Sequence, residues 1–233
     1  MDMSIFAGVL FDKDGTLFDF AATWEVWAQA FLLRASEGDR MQAAEVGRAI
    51  GFDLESHTFQ RDSIVIAGTP GEVADALAPH FPHLSRDGVF DMLNEEATDA
   101  PQAEAVPLIP FLEGLRGCGM KLGVATNDAE APARAHLDRA GATTYFDFIA
   151  GFDSGFGGKP APGQLLGFAQ AMSLAPETVV MVGDSTHDLL AGRAAGMSCV
   201  GVLTGMADRE TLMPHADVVL ADIGELPGWL DAQ

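Results

Sequence analysis

The sequence predicts an α/β protein, a doubly wound parallel sheet with a helical domain inserted after its first strand. Three observations carry this expectation. Short apolar runs that stop abruptly at polar residues alternate with helical patterns from residue 104 to the end. A similar run, Ile5 to Phe11, opens the chain but is followed by helical patterns alone up to residue 103. The 233 residues, 48% of them hydrophobic, suffice for a large domain with a smaller one attached. Strand–helix alternation of this kind builds a parallel, Rossmann-like sheet covered on both faces. The expected core domain therefore joins residues 1–18 to 104–233, and the insert spans 19–103.

Each element has its own warrant. Ile5 to Phe11 is almost wholly apolar and closes in Asp12-Lys13-Asp14-Gly15, as a buried parallel strand ending in a turn would. In AATWEVWAQAFLLRAS, residues Trp24, Trp27, Ala28, Phe31 and Leu32 recur at helical spacing and make one apolar stripe. Packing is the plain reading of those tryptophans. Helical patterns continue from Glu37 to Glu104, broken at Gly51, Gly68-Thr69-Pro70-Gly71 and Pro79 to Pro82, with no strand expected. PQAEAVPLIP, with three prolines in ten residues, reads as a linker. Beyond it KLGVAT (121–126) is a strand leading through Asn127-Asp128 into a helix that ends near Ala140. Phe146 to Ala150 is the next strand, followed by the loop GFDSGFGGKPAP and a helix from about Gly163 to Met172. TVVMV (178–182) leads into GDSTHD and the helix LLAGRAAG. Cys199 to Leu203 and Val218 to Leu220 complete the sheet.

Charge narrows the function classes. Thirteen Lys and Arg against 34 Asp and Glu give a net charge of −21. Phosphate backbones and anionic membranes demand a basic face, so neither nucleic acid nor membrane is an expected partner. No apolar run reaches the length of a membrane span. The start, MDMSIFAGVLFDKD, lacks the basic segment and small-residue cleavage site of a signal peptide. Cys118 and Cys199 are too few for a disulfide framework and read as small buried hydrophobes in a reducing compartment. The expectation is a soluble cytoplasmic protein, monomer or homodimer.

Ligands of open parallel sheets bind beyond the carboxyl ends of the strands. Four polar clusters fall there: Asp12 with Asp14, Thr126 with Asn127, Lys159, and Asp184 with Asp188. Each alone has a plainer reading. An Asp after a strand often caps a helix or turn, Lys159 can be a solvated loop charge, and Thr126 can bond its own backbone. Their succession, each behind a strand, is the specific signal. Four carboxylates in one crevice would raise one another's pKa or destabilise the fold. Oxygen ligands without a His or Cys cluster point to Mg²⁺ as the remedy. A carboxylate is a competent nucleophile toward phosphorus. Lys159 would balance charge on the nucleophile and the transferring phosphoryl group, and the Thr126 hydroxyl would donate to a phosphoryl oxygen. The chain has only three lysines, so one set in a Gly-rich loop stands out.

The segment FDKDGTLFD resembles the first motif of the haloacid dehalogenase superfamily in its phosphatase form. VATN resembles the second motif, GGKPAP the third and GDSTHDLLAGRAAGM the fourth. The insert resembles that family's helical cap, so the likeness covers the whole chain. It implies that Asp12 is a nucleophile forming an aspartyl-phosphate, and that Asp14 is the general acid and then the base. It implies Mg²⁺ held by Asp12, the Asp14 carbonyl and Asp184, with Asp188 supporting the metal waters and Lys159. Thr126, Asn127 and the Gly15 backbone would cradle the phosphoryl oxygens. Asp14 separates chemistries within the family. Dehalogenating members lack this second Asp; phosphonate-cleaving members replace it and add a cap lysine, which residues 19–103 do not contain. Phosphoryl transfer is left.

A closing cap implies a small phosphomonoester. The pattern most resembles bacterial phosphoglycolate phosphatases, which makes 2-phosphoglycolate the first-choice substrate. Arg61 or His57 would read its carboxylate, ahead of Arg48, His80 and His83, while His187 reads as a helix-start residue at the site rim. The alternatives are a sugar-phosphate mutase of the same superfamily and, from another class, a receiver-like phospho-signalling protein. Receivers are much shorter and take their phospho-acceptor from the third strand, whereas Asp12 follows the first.

Overall fold

A computed structural model describes residues 5–233. In chain order, β1 (Gly8–Phe11) leads into an insert of α1 (Phe20–Ala35), α2 (Arg40–Ala49), β2 (Phe52–Asp53), β3 (Thr58–Phe59), α3 (Ile64–Ala67), α4 (Pro70–Leu77) and α5 (Arg86–Asp99). The core resumes with α6 (Leu108–Gly117), β4 (Lys121–Ala125), α7 (Glu130–Arg139), β5 (Phe148–Ala150) and α8 (Gly163–Met172). It ends with β6 (Val179–Gly183), α9 (Thr186–Ala195), β7 (Ser198–Val202), α10 (Arg209–Leu212), β8 (Val218–Leu220) and α11 (Leu226–Leu230).

Six strands form one parallel sheet in the order β5-β4-β1-β6-β7-β8. Alternation along each strand explains the two covered faces. Val9, Phe11, Val180 and Val182 pack with α6, α7 and α11, whereas Leu10, Val179 and Met181 pack with α8 and α9. From central β1 the chain moves outward through β4 and β5, then returns to β6 and moves the other way. The order therefore reverses between β1 and β6, and that switch point is where such sheets bind ligands. Phe11 stands opposite Val182 on one side and Val124 on the other, so Asp12 emerges between the ends of β6 and β4.

The insert has its own apolar core. Trp24, Trp27, Phe31 and Leu32 of α1 are buried with Val73, Leu77, Phe81, Val89 and Leu93. Trp27 stacks on Phe31 at 5.9 Å, and its indole N–H donates to the Leu93 carbonyl at 3.1 Å. Contrary to expectation the insert does contain strands, the short antiparallel pair β2 and β3. Two-residue strands have no period to read. They are held by the Phe52–Phe59 ring contact at 4.8 Å and by the Asp53 carboxylate, which accepts from the Glu55 and Ser56 N–H groups.

Two further expectations need correction. Helix α6 begins inside the PQAEAVPLIP stretch, because Pro110 sits in the first turn, where its missing N–H costs no bond. Cys118 is exposed in the turn after α6, while Cys199 is buried as expected. Residues 17–19 and 103–105, the two chain crossings of the insert, run side by side. Asp19 N–H donates to the Ala103 carbonyl at 2.8 Å, and Ala105 N–H to the Leu17 carbonyl at 2.9 Å. The insert also touches the core through Arg139, whose guanidinium donates to the Ala100 and Thr98 carbonyls. Among the described residues no helix is long and apolar enough to cross a membrane.

Candidate active site

The carboxyl ends of β1, β4 and β6 place Asp12, Thr126 and Asp184 around one crevice. The loop after β5 brings Lys159 beneath them. Its ammonium meets Asp12 Oδ1 at 2.6 Å, Asp188 Oδ1 at 2.6 Å and the Ala125 carbonyl at 2.7 Å, which occupies all three donors. Asp188 serves twice. Its Oδ2 accepts from the Ser185 N–H and hydroxyl, closing the capping box of α9, while Oδ1 faces Lys159. The same carboxylate therefore caps α9 and pairs with Lys159.

Asp12, Asp184 and Asp188 are all buried, and one carboxylate oxygen from each lies within 4.8 Å of the others. A single ammonium faces three carboxylates. Burial pushes Asp12 up to about 7, against the lowering pull of Lys159 and with the repulsion of Asp188 and Asp14. Burial, then Asp12 and Asp188, hold Asp184 well above the ordinary carboxyl range. Burial alone would lower Lys159, yet the Asp12 and Asp188 charges raise it above an ordinary lysine. This donor set fits a hard divalent cation: oxygen-only, buried and short of positive charge.

Gly15 and Gly205 exist to give Asp184 room. A Cβ on Gly15, whose φ is +79°, would stand 2.5 Å from the Asp184 carboxylate, and one on Gly205 would stand 1.6 Å from it. The expected phosphoryl donor at Gly15 is committed elsewhere: its N–H bonds the Phe18 carbonyl at 2.7 Å. Its contribution is space and the turn, locked by the Thr204 hydroxyl donating to the Gly15 carbonyl at 2.6 Å.

Thr126 lines the crevice, and its oxygen accepts from Asp128 N–H at 3.0 Å, which leaves its O–H free to donate. The Asn127 side chain is fully engaged. Its amide nitrogen donates to the Ala67 and Lys159 carbonyls at 2.8 and 2.9 Å, and its oxygen accepts from Lys159 N–H at 2.8 Å. It ties the lysine loop to the insert.

A second charged cluster, missed in the sequence, lies behind Asp14. Lys13 is fully buried, 2.7 Å from Asp14, 3.3 Å from Asp128 and 2.9 Å from His136 Nδ1. Burial and then Lys13 depress His136 to about 4, so the ring is neutral. Nδ1 accepts from Lys13, and Nε2 donates to the Ala97 carbonyl at 2.6 Å in α5 of the insert. Burial lifts Asp128 to about 6, opposed by Lys13. Lys13→Met strands the buried Asp128 and the partly buried Asp14 and should cost about 3–5 kcal/mol. Urea unfolding measures this, with Lys121→Met, an exposed control, expected within about 0.5 kcal/mol of the parent. A loss for Lys13→Met no larger than the control's would mean the cluster is not coupled to stability.

The roof comes from the insert and is mostly apolar: Phe20, Trp24, Trp27, Val65, Val73 and Leu93, with Asn94 among them. Neither Arg61 nor His57 lines it, nor do Arg48, His80 or His83. Arg61 pairs with Asp208 at 2.8 Å on an adjoining groove, which shares Ile66, Ala67, Ser185 and His187 with the crevice. His57 is exposed beyond the crevice, near Glu25. His187 does sit at the rim, in the first turn of α9. One legible signal for Lys13 was its rarity; nothing in the sequence marks its partner His136, 123 positions away.

The family model for haloacid dehalogenase-like hydrolases matches residues 6–196. The chain is 31% identical to a probable phosphatase, IndB, of Dickeya dadantii (strain 3937), over 92% of this chain and 88% of that one. It is 29% identical to the phosphoglycolate phosphatase of Escherichia coli (strain K12), over 94% and 90%. A crystal structure of a predicted phosphoglycolate phosphatase from Haemophilus somnus 129pt shares the fold at TM-score 0.72 and 20% identity, over 97% and 99%. Spanning both the sheet and the helical insert, the family-model match and the two sequence relatives make the chain a member of the haloacid dehalogenase-like hydrolases, on the phosphatase side of that family.

Proposed function

We propose that the protein hydrolyses a small phosphomonoester through an aspartyl-phosphate on Asp12, with Mg²⁺ as cofactor. The observation that carries this reading is the buried set of Asp12, Asp184 and Asp188 with Lys159 at the switch point, roofed by the insert. Asp12 and Asp184 would hold the cation, whose charge lets a phosphate dianion approach carboxylates. Asp188 orients Lys159, and Lys159 both orients Asp12 and balances charge as the phosphorus–oxygen bond forms. The Thr126 hydroxyl donates to a phosphoryl oxygen. Asp14 protonates the leaving alcohol as its bond to phosphorus breaks. It then takes a proton from the water that attacks the aspartyl-phosphate, releasing phosphate and restoring Asp12.

The neutral roof over the crevice supports a small metabolite ester over a phosphoprotein. Release of inorganic phosphate from a panel of small phosphomonoesters, with Mg²⁺ present, is the test. Turnover of small esters at least about 10²-fold above that of phosphopeptides is expected if the roof gates by size. Net isomerisation of a hexose phosphate without phosphate release would instead identify a mutase.

A further inference from the structure

The roof carries two buried polar atoms with no partner among the described residues, the Trp24 indole N–H and the Asn94 amide oxygen. Both residues line the crevice. Buried polar groups are ordinarily bonded, so an unpaired one in the wall of a crevice is a candidate to bond what enters it. Trp24 is 8% exposed and is held by its neighbours: edge-on to Trp27 at 5.0 Å, tilted on Phe20 at 6.4 Å, with the Lys13 ammonium 5.6 Å from its ring. Trp27, by contrast, spends its N–H on the Leu93 carbonyl. The Asn94 orientation is set by its own helix, because its amide nitrogen donates to the Phe90 carbonyl at 3.1 Å. The free end is therefore the acceptor.

One donor and one acceptor thus stand in an aromatic and aliphatic wall. Resting on the phosphatase reading, we infer that Trp24 and Asn94 select the leaving group, an uncharged ring or flat body bearing both a hydrogen-bond acceptor and a donor. A carboxylate suits this roof poorly. It would lose hydration against Phe20, Val73 and Leu93 and present a further acceptor to Asn94. No Arg or His of the insert lines the crevice, and three of its arginines are paired elsewhere: Arg34 with Glu95 and Glu96, Arg86 with Asp75, Arg61 with Asp208. Among the described residues that line the crevice, His187 on the core rim is the one imidazole that could meet an acid. The acidic ester favoured by the subgroup resemblance therefore lacks the insert cation expected to read it.

Three benzyl phosphates of matched leaving-group chemistry test this: unsubstituted, 4-carbamoyl and 4-carboxy. The intact protein should show kcat/KM at least about tenfold higher for the carbamoyl than for the carboxy ester. Trp24→Phe and Asn94→Leu should each lower the carbamoyl-to-unsubstituted ratio by about tenfold. Product inhibition of the unaltered protein repeats the comparison without relying on variants, with 4-carbamoylbenzyl alcohol binding at least about tenfold tighter than 4-carboxybenzyl alcohol. Preference for the carboxy compounds, or ratios unmoved in both variants, overturns the assignment while leaving the phosphatase reading intact. No phosphate release from all three together with none from 2-phosphoglycolate or p-nitrophenyl phosphate removes both.

Discussion

Asp12→Asn should abolish phosphate release and leave the protein folded. The amide keeps the shape of the carboxylate and can still accept from Lys159, but it is no nucleophile toward phosphorus. Folding should not suffer, because three buried carboxylates crowd together while Lys159 pairs with two of them, and burial already pushes Asp12 up to about 7. Removing one of those charges relieves repulsion, so the metal-free variant should melt no lower than the parent. Asp14→Asn should behave differently. It retains the nucleophile and loses the proton donor, a change worth about 10²–10⁴-fold. With an aryl ester, whose departure needs little protonation, this variant should form the aspartyl-phosphate and stall before water attacks. Rapid quenching and peptide mass spectrometry should then find the adduct on Asp12. An adduct on Asp14 would exchange the two roles.

Why these two carboxylates could be found without coordinates, and other residues could not, follows from how each is positioned. Asp12, Thr126 and Asp184 directly follow β1, β4 and β6, and a parallel sheet brings strand ends together whatever the intervening lengths. Apolar runs reveal those strands, so the site floor is legible in one dimension. Lys159 is legible through scarcity and its Gly-rich loop. Lys13 sits between the two aspartates, yet its direction depends on a buried pocket made with Asp128 and His136, which no local pattern records. The roof is harder still. A tryptophan stripe says that α1 is packed, and it is, but not that Trp24 also lines the crevice or that its N–H goes unpaired. Arg61 and His57 were reasonable cations by composition. Their side chains follow the local turn and the Asp208 pairing, outside the crevice. The β2–β3 pair escaped because two residues define no alternation.

Stripping the cation should remove all turnover, and the same experiment run as a melt should reveal which residues hold it. Chelator should abolish phosphate release and Mg²⁺ restore it. Ca²⁺ should bind yet restore little, since its longer and looser coordination misplaces nucleophile and phosphorus. The structural signature is in the pH dependence. Asp12 and Asp184 have folded-state pKa values raised above the ordinary 3.8, to about 7 for Asp12, chiefly by burial. A raised carboxyl binds its proton more tightly folded than unfolded. Its contribution is therefore most favourable near pH 4 and is lost as pH climbs through 7. A cation competes with those protons, so its stabilisation should grow over the same window. His136 and Asp128 also titrate between folded values of about 4 and 6 and their ordinary ones. His136 costs stability as pH falls from 6.5 toward 4, but it lies with Lys13 behind the cluster, and its effect should largely cancel when melts with and without cation are subtracted. At a hundred times its dissociation constant Mg²⁺ stabilises by about 2.7 kcal/mol, or roughly 5–10 °C for a chain of this size. That shift should appear at pH 8 and shrink to about a third or less at pH 5.5, as the carboxyls protonate. It should also fall sharply in Asp184→Asn. Equal shifts at both pH values, or a full shift in Asp184→Asn, would place the cation elsewhere than at this cluster.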